Sequence, residues 1–265
     1  MTHTPVLERE PPGITYDRLR LDRLLTRIAH QHGVASALEI PSRGAKAMGG
    51  LYSLALARAG ADVTLHDPDP HARDAWHRLH LQHRLHTLHA PDLPRLPTAD
   101  HAFDLAWNFV TLGDAPDRPT LLAEMARSAR LVLTVHCNGH NWGYPWHRFL
   151  HRLFRVPWNH GDTDWFFPDT VRDAHRAAGL EPLALGYLDM PWWPDPPGFR
   201  DMRLHLGLVE ENPHTRWTAP IEDIYRGDNI PLPLRVLSRI EDGPVPPPVR
   251  TVFSHLFFVL SRSPG

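Results

Sequence analysis

The chain has 265 residues, with 28 basic against 30 acidic side chains and a formal net charge of −2. That length fits one large α/β domain, or one domain with a substantial cap, and buries a sizeable core without a disulfide or metal staple. The mixed, nearly balanced charge provides no basic field for a nucleic-acid backbone, and no apolar run of about 18 residues is present to span a bilayer, so neither nucleic acid nor membrane is expected as a partner. The lone cysteine, Cys137, excludes a disulfide framework and suits a reducing cytoplasm. It reads as a small apolar residue at a strand end rather than a nucleophile. The opening MTHTPVLEREPPG lacks a basic segment followed by an apolar one, so no signal peptide is expected.

In chain order, DRLRLDRLLTRIAHQ (17–31) spaces Leu19, Leu21, Leu24, Leu25 and Ile28 as a helix, stopped by Gly33. ASALEI (35–40) is a short apolar run that reads as a buried strand. GLYSLALARAG (50–60) reads as an apolar helix ending at Gly60, and ADVTLHD (61–67) as the next strand. Pro68 and Pro70 break the chain before a helix starting near His71. RLHTLHA (84–90) and FDLAWNF (103–109) read as the third and fourth strands, RPTLLAEMARSA (118–129) as an amphipathic helix, and the β-branched RLVLTVHC (130–137) as the fifth strand. Strand and helix alternate, which predicts a parallel sheet covered on both faces.

After Cys137 the texture changes. Residues 138–167 are rich in Trp, His, Tyr and Phe and read as a cap; a helix follows at 168–179 and a sixth strand at 181–189. Residues 190–250 carry many of the 28 prolines and read as irregular, a second insertion in one 1–265 domain. TVFSHLFFVLSR (251–262) reads as a last, apolar strand.

Ligands of such sheets bind beyond the carboxyl ends of the strands. Glu39, Asp67 and Asp92 fall there, and a carboxylate ending the second strand is suited to the two hydroxyls of a ribose. The stretch from Asp92 through Leu96-Pro97 and Asp100 to Phe103-Asp104, the helix LLAEMAR followed by LVLTV, and the closing HLFFVLSR together resemble the class I S-adenosylmethionine-dependent methyltransferases that act on small molecules (the type 11-like family). The resemblance implies a Rossmann-like, mostly parallel seven-stranded sheet with an antiparallel last strand. It implies S-adenosylmethionine as cofactor and methyl transfer to a small molecule. In that reading Glu39 organises the loop near the methionine amino group, Asp67 holds the ribose, Asp92 and the Leu93 amide meet the adenine, and Asn108 and Phe109 line the methionine side.

The first loop departs from the family's E/D-x-G-x-G-x-G: here it is Glu39-Ile40-Pro41-Ser42-Arg43-Gly44. Pro41 has no N–H to donate and Arg43 adds bulk where backbone approaches closely. Either a longer loop reaches the cofactor through Ser42 and Gly44, or cofactor binding is lost and the chain is a non-catalytic binding or partner subunit. The missing G-x-G-x-x-G argues against a nicotinamide or flavin enzyme.

Histidines raise a metal reading. His77, His80, His83, His86 and His89 recur every third residue, but such steps drift around a helix and do not converge on one ion; His147 and His151 lack a third ligand. No metal is expected. After the fifth strand, His136 and His140 are candidate general bases. Trp142, Tyr144 and Trp146 are candidates for an apolar acceptor pocket, with Trp192 and Trp193 as a lid.

Overall fold

The computed structural model describes residues 6–10, 12–42, 50–90, 95–158, 161–191, 205–208, 215–227 and 229–264. Its main sheet contains β2 (Ser36–Glu39), β3 (Asp62–His66), β4 (Leu85–Leu88), β5 (Phe103–Phe109), β6 (Ala129–Cys137), β7 (Glu181–Leu188) and β9 (Leu256–Arg262). Their spatial order is β4-β3-β2-β5-β6-β9-β7, and β1 (Val6–Arg9) and β8 (Thr215–Thr218) form a separate parallel pair. The first five strands of the main sheet run parallel; β9 is antiparallel to both β6 and β7. The chain steps outward from β2 to β4, then returns to β5 on the other side of β2. That reversal falls between β2 and β5, and ligands of open α/β sheets bind at the carboxyl edge beside such a reversal.

Each strand of the centre is apolar on both faces, so it is buried on both. Ala37, Val63, Leu105, Trp107 and Leu133 face one core, with Tyr16, Leu21 and Leu25 of α1 (Pro12–His32), Leu54 and Leu56 of α2 (Leu54–Arg58), and Trp76 of α3 (Pro70–Arg78). Leu38, Ala106, Val132 and Val259 face the other, with Leu121, Leu122 and Met125 of α4 (Arg118–Ser128) and Val171 of α6 (Pro168–Ala177). The residues that carried the family resemblance hold this frame. Asp104 accepts from the amides of Ala35 and Ser36 at the amino end of β2. Arg127 joins Glu124, Asp100 and the Thr98 carbonyl, which fixes the approach to β5.

Residues 190–250 are less irregular than their prolines suggest. Helices form at Pro220–Tyr225, Leu232–Asp242 and Pro247–Phe253, each with proline in its first turn. Proline lacks only an N–H that the first turn leaves unpaired, so these prolines start helices rather than break them. The last strand accordingly begins at Leu256, not 251. The aromatic segment after β6 forms α5 (Tyr144–Leu153) and a 3-10 turn at Thr163–Phe166. Among the described residues no helix is long and apolar enough to cross a membrane.

Two histidines are sealed into the α4/α6 side. His175 is bonded through Nε2 to Thr134 Oγ1 at 2.9 Å and through Nδ1 to Ser261 Oγ at 2.8 Å. His136, expected as a base, is buried, stacks on Phe257 at 5.2 Å, and its Nε2 has no hydrogen-bond partner among the described residues. Although it stands near the carboxyl end of β6, its side chain lies on the same side as Val132 and is buried against Phe257 and Trp165, which leaves it without access to an acceptor. Burial pushes the pKa of His136 down to about 3 and that of His175 down to about 4. A depressed histidine favours the folded state fully above its ordinary 6.5 and loses that contribution as pH falls toward the folded value. His136→Phe keeps the ring packing and removes one of these protons. Denaturant melts between pH 6.5 and 4 should show the variant gaining on wild type by about 1.4 kcal/mol per pH unit lost; parallel curves contradict the assignment.

Candidate functional site

Glu39 ends β2 with its carboxylate buried. It accepts from the Gly50 amide at 3.2 Å and from Ser53 Oγ at 2.5 Å, and Ser53 Oγ accepts in turn from Trp107 Nε1 at 2.9 Å. Trp76 Nε1 donates to the Gly50 carbonyl at 3.0 Å. Gly50 has φ +78°, and a Cβ there would press on Leu65 and Ala72 at 3.1 and 3.2 Å, so the close turn under Glu39 requires glycine. Two side-chain and backbone donors stabilise the anion, yet burial outweighs them and raises the Glu39 pKa to about 7.

Beside it, Arg18 is buried and bonded to Glu10 through Nε at 2.9 Å and through a second nitrogen at 2.5 Å, with its guanidinium 4.1 Å over the Tyr52 ring. Its charge reaches Glu39 but its hydrogen-bonding fork is taken by Glu10. Tyr52 Oη is buried with no hydrogen-bond partner among the described residues, and its ring packs on Phe109 at 4.4 Å. A buried carboxylate without a directly bonded cation among the described residues, next to a hydroxyl unpaired among them, fits a ligand end that brings positive charge and a donor or acceptor of its own.

The loop after β2 is braced into the sheet. Ser42 N donates to the His66 carbonyl at 3.0 Å, Ser42 Oγ donates to the Glu39 carbonyl at 3.1 Å, and the residue is buried. Both donors expected to reach the cofactor are therefore engaged within the protein. Gly44, Asp92, Leu93 and Trp192 lie outside the described residues. Asn108 is likewise a brace: Nδ2 donates to the Ile40 carbonyl and Thr111 Oγ1, while Oδ1 accepts from Leu112 N. Asp67 follows β3 with φ +46° and its carboxylate partly exposed, 3.3 Å from His89 Nδ1 and 3.6 Å from His66 Nε2. His77, His80, His83, His86 and His89 are all exposed, and among the described residues no group of three or more His, Cys, Asp or Glu could hold a metal.

Across the edge, Cys137, Asn138, Asn141, Tyr144, His147 and His255 belong to the walls of a cavity of about 40 Å³. That is room for a few waters, at about 10–15 Å³ each. Tyr144 alone of the three expected pocket aromatics lines it. Trp142 packs on Phe253 and Trp146 on Phe149, both largely exposed, and His140 is exposed at the edge of Phe167.

The cavity brings forward residues that sequence reasoning passed over. Asp189 follows β7 at φ +60°, buried, with Oδ2 3.2 Å from His255 Nδ1. Glu241 holds it there: Oε1 accepts from Asp189 N at 3.0 Å, and Oε2 accepts from Met190 N and Tyr16 Oη, each at 2.8 Å. Asn138 Nδ2 donates to the carbonyls of Thr251 and Ser254 and fixes the chain entering His255. Asp189 was findable by the rule that singled out Glu39 and Asp67, a carboxylate at a strand end.

Residues 47–131 match the family model for a methyltransferase domain. Over that stretch, about a third of the chain, the sequence is similar to methyltransferase domains. The match begins after the Glu39 loop and covers β3 to the start of β6. No curated protein matches the chain. Among solved structures, the 4+2 cyclase SpnF is 16% identical with a TM-score of 0.53, over 92% of this chain and 80% of that one. A Bacillus halodurans protein described as a methyltransferase is 15% identical with a TM-score of 0.52, over 92% and 99%. A Galdieria sulphuraria protein described as a sarcosine dimethylglycine methyltransferase is 13% identical with a TM-score of 0.50, over 92% and 86%. These likenesses establish the shared fold.

A raised carboxyl favours the folded state below its ordinary pKa of 4.5 and loses that contribution as pH rises through about 7. Glu39→Gln removes this titration, so the variant should gain stability relative to wild type as pH rises from 5 to 8 in thermal melts. It should also bind S-adenosylhomocysteine at least about 10-fold more weakly, one charge-assisted hydrogen bond being worth about 1.5–3 kcal/mol. An unchanged difference between the two melting curves across this range contradicts the assignment.

Proposed function

We propose that this enzyme transfers the methyl group of S-adenosylmethionine to a hydroxyl or amine of a small molecule, with His255 as the proton acceptor. The observation that carries this reading is the Asp189–His255 pair beside the cavity at the end of β6, across the sheet edge from Glu39. When bound, S-adenosylmethionine supplies an electrophilic methyl group on a sulfonium. Glu39, Arg18 and Tyr52 bind the amino-acid end, and Asp67 exchanges its contact with the exposed His89 for the ribose hydroxyls. Phe109 and Tyr52 wall off water, which strengthens the charge interactions around Glu39. Asp189 Oδ2, 3.2 Å from His255 Nδ1, favours a proton on that nitrogen by its charge, which leaves the other ring nitrogen to remove the acceptor proton. Glu241 acts through Asp189 as a positioning residue.

Domain organisation follows the same reading. The α5 segment and the stretch between β7 and β9 are insertions into one methyltransferase-like domain, and they supply the acceptor side.

Isothermal titration with S-adenosylhomocysteine tests the cofactor half: wild type binds, and Asp67→Ala binds at least about 10-fold more weakly. No binding by wild type, or equal binding by the variant, contradicts it. For the base, His255→Gln should lower kcat by about 10²–10⁴-fold with little change in S-adenosylhomocysteine affinity, and should remove the acidic limb of the kcat pH profile. An unaltered pH profile contradicts that role.

A further inference from the structure

Helix α5 is amphipathic in the unusual sense that its apolar side faces out. His147 and His151 point inward and are buried, while Trp146 (53% exposed), Phe149 (50%) and Leu153 (58%) share the outer face. Their spacing of three and seven residues places them one above another, and Trp146 and Phe149 stack at 5.4 Å. Phe154 (40%) and Trp142 (45%) extend the patch at either end. Single exposed apolar residues need no explanation, but a contiguous aromatic patch marks an interaction surface.

The charge around the patch selects the partner. Residues 138–161 hold three arginines, Arg148, Arg152 and Arg155, and no Asp or Glu, although the whole chain is slightly acidic at −2. Arg152 and Arg155 are exposed beside the apolar face, and Arg148 lies 4.6 Å over the Trp158 ring. A helix with Trp, Phe and Leu on one side and arginines along its flank has the composition that lies in the headgroup region of a bilayer, where aromatic rings sit at the apolar boundary and cations meet anionic lipid. A second copy paired through the same segment would bring three more arginines and no Asp or Glu to meet them, so such a face has no charge complement in itself. We infer that the outer face of α5 docks the enzyme on an anionic lipid surface. The helix lies on the surface without crossing it, which agrees with the absence of a membrane-spanning helix among the described residues.

Co-sedimentation of the full chain with vesicles tests this directly. Phosphatidylcholine vesicles containing phosphatidylserine should bind the protein and shift its tryptophan emission to shorter wavelength; phosphatidylcholine vesicles alone should bind it far more weakly. Arg152→Glu with Arg155→Glu should lower affinity for the anionic vesicles by at least about 25-fold, two cations at about 5-fold each. Phe149→Ser with Leu153→Ser should lower it at least about 10-fold. Both variants alter exposed side chains, so their circular dichroism and melting temperature should match wild type. Equal binding to both vesicle types, or no binding to either, overturns the inference. So does a concentration-dependent dimer in gel filtration that Phe149→Ser with Leu153→Ser dissociates.

Discussion

A carboxylate buried at the end of a parallel strand imposes a demand on everything around it, and Glu39 makes that demand at the centre of this sheet. It draws in the Gly50 amide and the Ser53 hydroxyl, which in turn engage Trp76 and Trp107 from the helix layer and the neighbouring strand. The turn can close only because Gly50 takes a positive φ with no Cβ. Even so the anion is incompletely compensated, which is why its pKa rises to about 7. The same carboxylate costs the protein stability as it ionises toward neutral pH.

Glu241 makes a parallel demand on the acceptor side. It gathers Tyr16 of α1 and two consecutive amides after β7, and so fixes Asp189 against His255. The two buried carboxylates stand on helix and strand ends that meet at one edge of the sheet, the edge created where the strand order reverses. Fold topology thus brings Glu39 and the Asp189–His255 pair to the same edge of the sheet, although Glu39 and His255 lie more than 200 residues apart in the chain.

Most of the frame was legible in the sequence because it rests on local rules. Alternating apolar strands and periodic helices indicated the parallel order, and carboxylates at strand ends marked Glu39 and Asp67. Three things were not legible. Prolines at 220, 233 and 247 look alike whether they end a chain segment or begin a helix, and only the paired amides downstream decide. Ser42 looks like a ligand donor until its amide and hydroxyl are seen bonded to His66 and Glu39. His136 looks better placed than His255 because it follows a strong strand, but strand alternation turns its ring into the α4/α6 core. His255 stands one residue before β9, where an antiparallel strand starts at the edge at which its parallel neighbours end.

The most direct test is a crystal structure of the full chain with S-adenosylhomocysteine. The account requires the ribose hydroxyls within hydrogen-bond distance of Asp67, the amino group near Glu39, and the sulfur facing the cavity walled by Tyr144 and His255. A ligand seated elsewhere, or Asp67 still held by His89 with the ribose beyond its reach, would contradict it.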